Sequence, residues 1–103
     1  MGFGGLIAAG VLVAPQAHAD EAFLVCPSGR SGVATSVTSC AFADNVRYNY
    51  IRQGGPIITA YSPVTGQFYT MQCASGFVAT LNTGGVVSSV RCVGGDNAVV
   101  ILW

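Results

Sequence analysis

The sequence predicts a small α+β domain: one helix packed on a four- to five-stranded antiparallel sheet and stapled by two disulfides. Three observations carry that expectation. Only one segment, near Cys40 to Gln53, repeats its apolar residues with helical spacing, and from Ile57 onward the pattern has period two. Four cysteines then lie in a chain of 103 residues, Cys26, Cys40, Cys73 and Cys92.

Taken in order, Ala22 to Val25 is short and apolar, ends at Cys26-Pro27 and reads as a first strand. Ser28 to Gly32 is a turn, and Val33 to Val37 alternates weakly with Ser and Thr, which fits a second short strand better than the alternative, a lead-in to the helix. The helix follows. Ser39 is its expected N-cap, because a hydroxyl there accepts an orphan N–H of the first turn. Phe42, Val46 and Tyr50 make one apolar stripe, and Gly54-Gly55-Pro56 stops the helix. Arg47 and Arg52 sit toward its C-terminal end, where positive charge suits the dipole.

Two hairpins are expected next. Ile57 to Ser62 and Gln67 to Cys73 flank Pro63-Val64-Thr65-Gly66, in which proline and glycine suit a type I turn closed by a left-handed residue. Phe77 to Leu81 and Val86 to Cys92 flank Asn82-Thr83-Gly84-Gly85. After Gly94 to Asn97, Ala98 to Trp103 is apolar on both faces, the mark of a central, doubly covered strand.

The N-terminal residues have another role. An apolar run from Phe3 to Val13, Pro15 and then Ala17-His18-Ala19 form the pattern signal peptidase cuts, so residues 1–19 are expected to be a signal peptide and 20–103 a single exported domain. No basic residue precedes the apolar run, so the leader is expected to be incomplete at its start. Pro15 limits that run to about a dozen residues, against the ~20 that span a bilayer. A domain this small is marginal without covalent support, which an exporting compartment supplies as disulfides. The four cysteines allow three pairings. Cys26–Cys40 with Cys73–Cys92 is expected, since both close short loops between neighbouring elements. The spacing lacks a Cys-x-x-Cys knuckle, which argues against zinc, and no cofactor is expected.

Removing residues 1–19 discards His18, the chain's one histidine, and leaves no lysine. Serine and cysteine nucleophiles need a neighbouring base, so most hydrolase mechanisms lose their parts. Asp44 and Asp96 remain as a conceivable acid and base, although Asp44 suits a solvated helix face and Asp96 a turn. Gly94-Gly95-Asp96-Asn97 has too few carboxylates for calcium and lacks a nucleotide-loop fingerprint. Net charge is zero with no basic patch, which removes nucleic-acid binding. Charged residues are only 8% of the chain, so hydroxyls, amides and tyrosines must supply most of the polar surface. Among aromatic residues, Tyr48 falls off the helical stripe beside Arg47 and Arg52, an exposed cluster suited to a partner or an anionic glycan. Tyr61 and Tyr69 on the first hairpin extend the candidate set.

The segments Val37 to Ala43, Ala60 to Cys73 and Cys92 to Val100, with the Tyr61-Ser62-Pro63-Val64-Thr65-Gly66 hairpin the most specific, resemble the small exported cysteine-bearing domains of mycobacteria and related actinomycetes. Such domains often carry proline after the second cysteine, where this chain has Ala41. The resemblance implies an exported disulfide domain of an actinobacterial envelope and no particular activity. Three functions stay open: a non-catalytic secreted domain that contacts an envelope or host partner, a carbohydrate- or peptidoglycan-binding module using Tyr48, Tyr61 and Tyr69, and a small carboxylate-dependent hydrolase.

Overall fold

The computed structural model describes residues 22–34, 38–95 and 97–103. The expected leader, the far end of the second strand and Asp96 lie outside them. The elements are β1 (Leu24–Val25), β2 (Ser31–Val33), α1 (Cys40–Gln53), β3 (Ile57–Ser62), β4 (Gln67–Thr80), β5 (Val86–Gly94) and β6 (Ala98–Leu102). They form an α+β domain in which α1 covers one face of a single antiparallel sheet. The sheet has six strands rather than four or five, in the order β1-β2-β6-β5-β4-β3.

The count reaches six because β1 and β2 pair onto β6 and join the sheet, and two strand boundaries also differ from expectation. Gln67 to Cys73 and Phe77 to Leu81 are not separate strands: β4 runs unbroken from Gln67 to Thr80 and absorbs Ala74 to Gly76 as an irregularity. Gly76 takes the left-handed conformation there (φ 81°), so a residue that reads as a turn signal serves as a bulge instead. The second strand also starts earlier than expected, at Ser31. Its first residue is fully buried because its hydroxyl donates to Asp44 on α1, at 2.9 Å, so a polar side chain fills an inward position.

The helix keeps its expected bounds, and its ends show why. Ser39 Oγ accepts the Phe42 N–H at 3.1 Å, while Gly54 closes the helix in the left-handed conformation and donates to the Tyr50 carbonyl. Phe42, Ala43 and Val46 turn onto the sheet, where they meet Ile58, Ala60, Met71, Val100 and Leu102. β6 pairs on both sides and buries consecutive residues Val100, Ile101 and Leu102, as a doubly covered strand does. Gly94 packs tightly against the β4 backbone. A Cβ there would collide with the Thr70 carbonyl oxygen and Met71 Cα.

Both disulfides have the expected pairing, and no cysteine is free. Cys26–Cys40 ties the end of the first strand to the first helical residue. Cys73 and Cys92 stand directly opposite each other on β4 and β5. Bridges of this kind are typical of extracytoplasmic proteins.

The face away from α1 divides in two. Over one half, Phe23 packs on Phe77, Ala79, Leu81 and Ile101 and is itself 2% exposed, forming a second small core. Over the other half, along β3 and the start of β4, no described element lies across the side chains.

Candidate functional site

The sequence-predicted residues lie on different surfaces. Arg52 stacks its guanidinium 5.3 Å from the Tyr48 ring on the solvent side of α1, beside the exposed Ile51. Exposed cation–π pairs contribute only about 0.5–1 kcal/mol, so this pair costs little to rearrange around a ligand. Arg47 does not join it. Its Nε donates to the Trp103 carbonyl oxygen at 3.4 Å, which also accepts from Arg30 Nε at 2.9 Å. Two cations thus anchor the end of β6 to α1 and to the β1–β2 turn.

The hairpin tyrosines separate because β3 and β4 alternate. Ala60 pairs with Tyr69 and points toward the helix, so Tyr69 packs edge-on against Phe42 at 5.7 Å and donates its hydroxyl to Thr65 at 2.9 Å. Tyr61 pairs with Phe68 on the opposite face, with ring centroids 5.1 Å apart. Tyr48, Tyr61 and Tyr69 therefore do not share one platform.

Asp44 is part of the frame. It accepts from the hydroxyls of Ser31, at 2.9 Å, and Ser28, at 3.1 Å, and so holds the β1–β2 turn against the helix. Among the described residues no group of three or more His, Cys, Asp or Glu side chains could hold a metal ion. No helix among them is long and apolar enough to cross a membrane.

What does assemble is the uncovered half of the second face. Ile57, Tyr61 and Phe68 lie there 59%, 39% and 71% exposed, from adjacent strands. Ile57, at one end of this set, borders an open cleft of about 590 Å³ that it lines with Gln72, Phe77, Arg91 and Val93. Arg91 lies over the Phe77 ring at 5.6 Å and brings the cleft a cation. Sequence reasoning missed Ile57 and Arg91. Each odd residue of β3 has an apolar even neighbour, so periodicity alone does not say which set faces out. Arg91 sits between Val90 and Cys92, and only the β5 register turns it to this side.

A smaller cleft of about 290 Å³ opens near the start of α1, where Phe42 meets the hydroxyls of Ser39, Ser62, Thr65 and Tyr69. Comparison of the chain with protein-family models, curated proteins and solved structures finds no match.

Proposed function

We propose that this chain is a non-catalytic, exported interaction domain that contacts an envelope or host protein through the uncovered half of its sheet. The observation that carries this reading is the exposed face that runs from the Tyr61–Phe68 pair past Thr59 and Thr70 to Ile57, which adjoins the Arg91–Phe77 pair. Aromatic residues and arginine are the side chains enriched where proteins meet. Thr59 and Thr70 lie between Ile57 and the Tyr61–Phe68 pair, and Gln72 stands opposite Ile57, so polar groups are interleaved with the apolar ones. Two disulfides support an extracytoplasmic setting, since they persist where thiols are not kept reduced.

Phe68→Ser and Ile57→Ser test the proposal. Cross-linking to envelope extracts should be lost in these variants and kept in Tyr48→Ala. Equal capture by all variants defeats the proposal.

The hydroxyl-lined cleft beside Phe42 and Tyr69 favours a second reading, a module for a neutral sugar. A glycan array decides it: binding should weaken with Tyr69→Phe, and absence of binding to any polysaccharide removes the reading.

A further inference from the structure

β3 is an edge strand, and alternation sends the backbone groups of Ile57, Thr59 and Tyr61 away from β4. Such a row of donors and acceptors is a template for another strand. Here it is occupied by helix side chains. The Gln53 amide binds Thr59 as a neighbouring peptide group would: Oε1 accepts the Thr59 N–H at 3.1 Å and Nε2 donates to the Thr59 carbonyl at 3.0 Å. Asn45 Nδ2 donates to the Tyr61 carbonyl at 2.9 Å. Asn49 links the two, accepting from Gln53 at 3.1 Å and donating to the Asn45 carbonyl at 2.8 Å. Asn45, Asn49 and Gln53 recur four residues apart, so they form one polar ladder along the side of α1 nearest the edge.

We infer that this ladder guards β3 against pairing with a second copy of the chain. The strand is self-complementary about Thr59. Two copies related by a two-fold axis and paired antiparallel place Thr59 opposite Thr59 of the other copy, and Ile57 opposite its Tyr61. Thr–Thr and aromatic–β-branched pairs are among the favourable cross-strand combinations. In this register each facing pair exchanges both of its N–H···O bonds. No charged residue lies on β3 to oppose the approach. A six-residue edge buries well under the roughly 1,200 Å² of a standard interface, so losing the Gln53 and Asn45 bonds is enough to keep the wild type apart.

Sedimentation of the disulfide-intact chain tests this. Gln53→Met removes the amide while keeping a helix-favouring stem of similar length, and Gln53→Ala is the second variant should the first repack. The wild type is expected to be monomeric, and each variant to dimerise at least about tenfold more tightly, as the release of competing hydrogen bonds implies. Adding Thr59→Lys places like charges opposite each other and should restore the monomer. Mixing Gln53→Met/Thr59→Lys with Gln53→Met/Thr59→Glu should recover a dimer. Variants no more associated than the wild type overturn the inference, as does a dimer indifferent to Thr59→Lys.

Discussion

Phe23 and Phe68 have the same side chain on the same sheet face, yet the structure assigns them opposite consequences. Phe23 is 2% exposed, meets Phe77 edge-on at 6.0 Å and closes the cluster formed with Ala79, Leu81 and Ile101. Phe23→Ala opens that cluster and leaves Ile101 facing a void, at a cost of about 3–5 kcal/mol. Phe68 keeps 71% of its surface in water. Phe68→Ala therefore forfeits a minor share of the roughly 1.5–3 kcal/mol that full burial contributes, less than about 1 kcal/mol. Urea unfolding with both disulfides intact measures the two directly, because the midpoint shifts by stability change over a common slope. In a thermal scan Phe23→Ala should lower the midpoint by more than about 10 °C, as expected for a domain of this size. If Phe23→Ala is no more destabilising than Phe68→Ala, the segment before β1 does not close a core, and the division of the second face is wrong.

Gly94→Ala should be among the most damaging small substitutions, at about 2 kcal/mol or more, because its Cβ meets the β4 backbone at Thr70 and Met71 rather than a flexible side chain; circular dichroism melting reads the loss. Asp44→Ala removes the acceptor of a fully buried Ser31 hydroxyl and should cost about 1 kcal/mol in urea, while Ser31→Ala in the same background should recover part of it. Replacing Cys26 and Cys40 with alanine should lower stability by about 3 kcal/mol, in line with the short loop they close, and peptide mapping of the variant should still find Cys73 joined to Cys92.

The elements legible in the sequence are those with local determinants. α1 is bounded by Ser39 and Gly54, and its stripe of Phe42 and Val46 lies within a few residues of those caps. The disulfide pairing is legible because each bridge joins neighbouring elements. Long-range causes are not. Whether Gly76 begins a turn or a bulge depends on β5, whose Ser89 and Arg91 take up the register on either side of it. Arg47 and Trp103 are far apart in sequence, so no local pattern joins them. Asn45, Asn49 and Gln53 read as an ordinary solvated helix face, and only the placement of β3 beside them gives their amides a partner. The surface residue Ile57 was equally hidden, since β3 has apolar residues at both parities.

Scarcity of charge connects the edge to the face. Natural sheets keep exposed edges apart mainly with charge, lysine above all, and this chain has no lysine and only 8% charged residues. Amides on α1 can perform the same task because a primary amide carries the donor and the acceptor of a peptide group. They act on the backbone and leave the side chains of Ile57, Tyr61 and Phe68 open, so the edge is closed while the adjoining face stays accessible. The two surfaces should then fail independently. Association of the wild type with a partner should be abolished by Phe68→Ser and kept in Gln53→Met. Self-association of Gln53→Met should be abolished by Thr59→Lys and persist in Phe68→Ser. Sedimentation and cross-linking on the wild type, these single variants and the two Gln53→Met double variants separate these outcomes. A single substitution that removes both associations would mean that edge and face are one surface, and that the amide ladder guards the partner site itself.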